Sequence, residues 1–224
     1  MAVELVHGAG RTTTVYYDDE ACTYIKCFTR PKWYTKKAIK IALGLYRTPG
    51  KHVEYISHKL QANGLLCPEL VQVEDYRVVS KDLQDMPSLG EYRTLHGDDA
   101  FRAEQIDVFA RMLNAHILHK DPHDGNFLCN GKDIFVIDVD ALSDSRLKFL
   151  PRQLMLYRLW RSSKKNYDFI YQIALRWPKR TVWEQCMDCI YTIRTYAQYA
   201  FKEDKKGIYA FLKHINAYLK EHAL

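Results

Sequence analysis

Residues 119–126 read His-Lys-Asp-Pro-His-Asp-Gly-Asn, and twelve residues after Asn126 comes Asp138, within the run Phe135-Val-Ile-Asp-Val-Asp140. This pattern constrains the chain more than any other. A polar turn joining a helix to a strand accounts for Gly125 and Asn126. It does not account for His119 two residues before Asp121, Asn126 five residues after it, or an apolar strand closed by an acid at that distance. Phosphoryl transfer from ATP needs these residue types in this order. An Asp must orient the acceptor hydroxyl and take its proton, and an Asn and a second Asp must hold Mg²⁺ against the phosphates. Asp121 fits the first role; Asn126 and Asp138 fit the other two.

The 224 residues suffice for one domain of two lobes or for two small domains. Hydrophobic residues at 47% make a packed core feasible and exclude global disorder. The net charge of +6 suits anionic partners, among them nucleotide phosphates, an acidic glycolipid and a membrane surface, without choosing between them. No charged-then-apolar leader and no run of about eighteen apolar residues is present, so a cytoplasmic protein is expected. Six cysteines form no framework. The pair Cys186 and Cys189 has C-x-x-C spacing but no second pair and no nearby His, which favours two half-buried helix cysteines over a redox or zinc site.

Residues 2–28 read as a meander of three strands, with turns at Gly8-Ala-Gly10 and Asp18-Asp-Glu20. A glycine turn there lets backbone N–H groups approach phosphates closely, although most such pairs are plain hairpin turns. Lys26 lies mid-strand among Tyr24, Ile25 and Phe28. A strand Lys usually faces solvent; two preceding strands and a downstream catalytic loop favour a phosphate contact instead. Residues 30–51 hold Arg30, Lys32, Lys36, Lys37, Lys40, Arg47 and Lys51 with no acid, interleaved with Trp33, Tyr34 and Tyr46. A solvated helix face competes here with a contact to an anionic substrate or a membrane.

His52–Asn63 has the pattern of an amphipathic helix stopped by Asn63-Gly64, and Glu54 on it is the candidate partner for Lys26. Two strands follow, 70–74 and 76–81, then a connector over 82–89. Helical periodicity spans 100–118 and delivers His119. Helices are expected over 152–161, 166–176, 181–201 and 206–224.

The whole plan resembles the protein-kinase-like fold. That resemblance implies an α+β, bilobal chain with a small antiparallel-sheet N-lobe carrying one helix (residues 1–83) and a mostly helical C-lobe with the catalytic loop (84–224). His123 where protein kinases have Lys, Asp138-Val-Asp140 in place of Asp-Phe-Gly, no Ala-Pro-Glu segment and a minimal glycine loop set the chain apart from eukaryotic protein kinases. Within the fold it is most similar to the lipopolysaccharide core heptose(II) kinase family and its lipopolysaccharide-kinase relatives. The residues that carry this are Tyr24-Ile-Lys-Cys-Phe28, Glu54–Leu60, Gly64-Leu-Leu-Cys-Pro68, Lys81-Asp-Leu83, His119–Phe127, Ile137-Asp-Val-Asp140 and the Arg-rich stretch 152–161, within roughly residues 1–165.

The resemblance implies a bacterial kinase using ATP and Mg²⁺ to phosphorylate a sugar hydroxyl, a heptose of the lipopolysaccharide inner core. Lys26 would contact the α/β-phosphates, with Glu54 holding it and Gly8 and Gly10 near the nucleotide. Asp121 would act as base, with His123 near the γ-phosphate, His119 bracing the loop, and Asn126 and Asp138 as metal ligands. Asp140 is left open between a metal-site role and an ordinary exposed acid. Peripheral contact with the cytoplasmic face of the inner membrane through 30–51 goes with this reading, and no nucleic-acid partner is expected. A small-molecule phosphotransferase of the aminoglycoside type and a protein kinase are the alternatives within the fold. A pseudokinase binding module is a third reading, disfavoured because Lys26, Asp121, Asn126 and Asp138 are all retained.

Overall fold

The computed structural model describes residues 2–6, 13–119, 122–144, 152–163, 165–176 and 206–222. The chain divides into two compact units, Met1–Pro87 with Leu128–Asp140, and Ser88–Phe127 with Ala141–Leu224. Residues 128–140 group with the first unit rather than with their sequence neighbours. Leu66 bridges Phe135, Val136 donates its N–H to the Leu66 carbonyl at 2.8 Å, and Cys129 donates to the Pro87 carbonyl at 3.1 Å.

In the first unit, runs rich in Thr, Val and Tyr form strands, as side chains that fit a pleated, half-buried surface do. β1 (Ala2–Val6), β2 (Thr13–Asp18), β3 (Thr23–Phe28), β4 (Leu70–Glu74) and β5 (Arg77–Lys81) make one antiparallel sheet in the order β1-β2-β3-β5-β4. The register sets Lys26 at the centre of β3, between Val15 of β2 and Val78 of β5. The last strand leads to Asp82, whose carboxylate accepts from the Tyr17 hydroxyl at 2.8 Å; that bond raises the phenol's pKa well above its usual range. Farther along, β7 (Phe127–Cys129) and β8 (Ile134–Val136) form a two-stranded ladder.

Helix α1 (Lys36–Ala42) precedes α2 (Pro49–Gln61). α2 begins with Pro at its first position, where the fixed φ suits the helix and the missing N–H is no loss. Val53, Ile56, Ser57 and Leu60 form its buried face, the i, i+3, i+4, i+7 stripe of an amphipathic helix. Its N-terminus meets the β4–β5 turn closely. Gly50 donates to the Asp75 carbonyl at 2.9 Å, and a Cβ on Gly50 would lie 1.7 Å from the Glu74 carbonyl oxygen. Only a residue without a side chain fits there.

The second unit begins with α3 (Leu89–His96), a helix not expected from the sequence, where the connector over 82–89 ends. Ser88 caps it and Glu91 completes a reciprocal capping box. α4 (Arg102–Asn114) ends earlier than expected, because His116 turns through φ 57° and Ile117–His119 becomes β6, paired with β9 (Leu142–Asp144). The helices α5 (Arg152–Ser162), α6 (Tyr167–Leu175) and α7 (Lys206–His222) follow. Phe109 lies edge-on to Phe127 and Phe169 in the core, while Phe211 meets Tyr157 and Trp160. The helix expected over 181–201 and the Cys186/Cys189 pair lie outside the described residues; among the described residues Cys22, Cys27, Cys67 and Cys129 form no disulfide. Among the described residues no helix is long and apolar enough to cross a membrane.

The Gly50 approach gives the first test. Gly50→Ala forces α2 away from the β4–β5 turn and is expected to cost about 1–3 kcal/mol, the usual range for overpacking. Urea unfolding measures it; an unchanged midpoint would show that the turn yields freely.

Candidate active site

Lys26 is the hub of the first unit. Its ammonium donates to Asp138 Oδ1 at 2.7 Å and also to Asp140 Oδ1, bonds that span 112 and 114 residues of sequence. All three side chains are half-buried. The apolar strand β8 brings the chain to this point, and Asp138 then leaves the strand direction through φ 54°. Asp tolerates that left-handed conformation better than most residues, at a cost on the order of 1 kcal/mol. A short helical turn, Val139–Ala141, then sets Asp140 beside it.

The electrostatics follow from one ammonium facing two carboxylates. Burial opposes the charge on Lys26, but Asp140 and Asp138 together outweigh it and hold the ammonium's pKa above its ordinary 10.5. Burial pushes Asp140 above the ordinary 3.8, Asp138 adds to the push, and Lys26 opposes it. One negative charge remains in excess when both acids are ionised. Hard, convergent carboxylate oxygens with surplus negative charge are the donor set that Mg²⁺ prefers. Asp138 and Asp140 therefore fit that ion chemically, although no group of three or more His, Cys, Asp or Glu forms a metal cluster among the described residues.

The expected Lys26–Glu54 pair is not formed. Glu54 accepts instead from Lys51 at 3.0 Å, one turn earlier on α2, while Lys26 is taken by the two aspartates. Asp140, which the sequence left open, is thus a direct partner of Lys26. Gly8, Gly10 and Asp121 lie outside the described residues.

In the second unit the loop after β6 carries the other candidates. His119 is buried, faces Leu142 across the β6–β9 ladder and has its ring 5.7 Å from Phe127. His123 is engaged by the loop itself. Its Nδ1 accepts from the Gly125 N–H at 3.1 Å and its Nε2 lies 3.2 Å from the Asn126 amide. Gly125 is tight here: a Cβ would meet the His123 ring at 3.0 Å.

Three residues that the sequence reading did not single out hold this loop. Arg93 Nη1 donates to Asp124 Oδ2 at 2.7 Å and Arg93 Nη2 donates to Gln105 Oε1 at 2.8 Å. Gln105 Nε2 closes the ring by donating to Asp124 Oδ1 at 2.8 Å, and Arg93 Nε reaches the Ala100 carbonyl at 3.0 Å. Every principal polar atom of the ring is satisfied, which is the condition under which a buried polar network rigidifies its surroundings. The network ties α3 and α4 to the residue two before Asn126. Only Asp124's place inside the loop string could have flagged it.

No protein-family model and no curated protein matches the sequence. Solved structures match the fold. The ADP-bound aminoglycoside phosphotransferase APH(2'')-Ib superposes with a TM-score of 0.52 at 12% identity, covering 95% of this chain and 92% of that one. The streptomycin–ATP complex of APH(2'')-IIa gives 0.50 at 11%, covering 94% and 90%. The Rio2 kinase from Chaetomium thermophilum, as its ADP/Mg²⁺-phosphoaspartate complex, gives 0.51 at 14%, covering 92% and 69%. At these identities the likeness is one of fold. The chain has the α+β protein-kinase-like fold, with an antiparallel sheet in its N-terminal part and helices in its C-terminal part.

Two measurements test the site. Arg93 is 6% exposed and Asp124 39%, so water screens their pair in part. Arg93→Ala is expected to cost about 2 kcal/mol, below the ~3–5 kcal/mol of a fully enclosed pair. Chemical denaturation checks this, and an unaltered midpoint would dismiss the ring as a brace. For Asp140, the folded chain keeps its proton to higher pH than the unfolded chain does. The group's contribution to stability is full below pH 3.8 and is lost as pH rises through the raised folded-state value. Asp140→Asn removes that titration. Its unfolding free energy, measured with a chelator present, should decline less than that of the wild type above pH 3.8.

Proposed function

We propose that this protein is an ATP-dependent phosphotransferase with an alcohol acceptor, and that the acceptor is a heptose hydroxyl of the lipopolysaccharide inner core. The observation that carries the first part is Lys26 bonded to Asp138, joining β3 to the second residue past β8, in a chain whose fold matches nucleotide-bound kinases. A nucleotide site of this kind needs a fixed cation for the α/β-phosphates next to an acid that holds the metal.

In this reading Lys26 neutralises the α/β-phosphates, and Asp138 and Asn126 are the metal ligands, with Asp140 supporting Asp138. Mg²⁺, when bound, offsets the charge on the phosphate oxygens. Asp121 orients the acceptor hydroxyl and takes its proton as the acceptor oxygen bonds to the γ-phosphorus. The bond from the γ-phosphorus to the bridging oxygen breaks and ADP leaves. His123 keeps Asn126 in place. Glu54, bonded to Lys51, has no part in holding Lys26.

The heptose assignment rests on the motif resemblance along residues 1–165. The glycolipid core is built at the inner membrane, so the protein would work at its cytoplasmic face. The aminoglycoside phosphotransferases share the fold, and a small-molecule acceptor is the competing reading. Their substrates are polycations, whereas residues 30–51 carry seven cations and no acid. That charge repels a polycation and favours an anionic acceptor.

The deciding assay incubates purified protein and Mg·ATP with dephosphorylated core oligosaccharides, aminoglycosides and generic protein substrates, followed by mass spectrometry. Phosphate on the oligosaccharide alone is the expected result; phosphate on an aminoglycoside would transfer the assignment there. Asp121→Asn should lower turnover by roughly 10²–10⁴ while leaving the fold intact, since it removes the base. Asp138→Asn should weaken Mg²⁺-dependent nucleotide binding as well, read by calorimetry. Unaltered transfer in the first variant, or unaltered metal-dependent affinity in the second, would remove those roles.

A further inference from the structure

The segment between β3 and α2 is ordered without being packed. Six of the large hydrophobic side chains exposed among the described residues lie in it: Trp33, Tyr34, Ile39, Leu43, Leu45 and Tyr46, with Trp33 85% and Leu43 67% exposed. α1 contributes no buried residue. Its seven residues fall well below the roughly 12–15 at which an isolated helix holds in water. Local backbone bonds set its ends instead. The Thr35 side chain accepts from the Ala38 N–H at 3.2 Å. Beyond the C-terminus Gly44 turns left-handed at φ 69°, so that Leu45 donates to the Lys40 carbonyl at 2.8 Å and Gly44 to that of Ile41 at 2.9 Å. The result is a held-out apolar surface, surrounded by the Lys and Arg residues of 30–47 with no acid among them.

We propose that this segment is a docking surface for an anionic phospholipid bilayer. The inference does not depend on phosphoryl transfer, because none of these residues is a nucleotide, metal or base candidate; their charge enters the proposed function only in the choice of acceptor. Charge and apolarity together select the partner. A nucleic acid matches the cations and the rings but gives Ile39, Leu43 and Leu45 nothing to enter. A folded protein can cover the apolar side chains but does not require a cationic surround free of any acid. An anionic bilayer takes both. Lipid phosphates meet the Lys and Arg side chains, Trp33 and Tyr34 lie at headgroup depth with one wet edge, and the aliphatic side chains enter the acyl boundary.

The test is flotation of the full chain, without nucleotide, against vesicles of phosphatidylcholine alone and of phosphatidylcholine with phosphatidylglycerol. Wild type should bind the anionic vesicles, bind the neutral ones weakly, and come off with rising salt. Each basic residue near such a surface is worth roughly a fivefold gain in partitioning. Lys32→Glu/Lys36→Glu/Lys37→Glu should therefore lose at least about 100-fold. Leu43→Ser/Leu45→Ser should weaken binding while keeping its salt dependence, and Trp33 fluorescence should shift to the blue on binding. Because the altered side chains are exposed, thermal melts of both variants should match wild type, and Asp121→Asn should bind as wild type does. Equal binding to both vesicle types, undiminished binding by the charge-reversal variant, or self-association with no vesicle binding would each overturn the proposal. Phosphoryl transfer is measured separately, so failure of either reading leaves the other's result standing.

Discussion

A single ammonium between two carboxylates organises the first unit. Lys26 stands at the centre of β3, with Asp138 just before and Asp140 within the short turn after β8. Burying one charge of this kind alone is costly, and burying two acids side by side costs more. Together the three reduce the cost to one surplus negative charge. Burial, with Asp138 beside it, keeps Asp140's carboxyl prone to protonation, and the surplus charge suits a divalent cation. The strand, the left-handed Asp138 and the short turn that follows all serve to bring these side chains together.

The two loops that matter are held by different means. The Asp138 region relies on charge and on a single unusual backbone angle. The loop carrying His123 and Asn126 relies on neutral and charge-assisted hydrogen bonds, through the Arg93–Gln105–Asp124 ring and through an imidazole that bonds to both neighbours. The first arrangement answers to pH and to added cations. The second answers to the packing of α3 and α4.

Much of this was legible in the sequence, and the gaps have identifiable causes. The meander, the amphipathic stripe of α2 and the paired strands β4 and β5 follow local periodicity, and the structure has them within a few residues. Ile117 and Leu118 continue the apolar periodicity of α4, yet they form a strand, because an apolar run that short fits either period and His116 breaks the helix by a backbone angle no pattern records. The motif singled out Asp138, but not its bond to Lys26. Glu54 looked the better match for Lys26 because it lay near in sequence on the right kind of helix, whereas the actual contacts cross more than a hundred residues. Arg93 and Gln105 carry no motif, since nothing local shows that both face one loop aspartate.

The self-capped character of α1 bears on how such a chain can change over time. A helix ordered by Thr35 and Gly44, with no side chain committed to the core, can be altered residue by residue with little demand on the sheet beside it. The core places no demand on the surface chemistry of 30–47, which answers only to what the segment contacts, while Gly50, a few positions on, cannot accept even a methyl group. The border between sequence that the core leaves open and sequence that backbone packing dictates falls between Arg47 and Gly50.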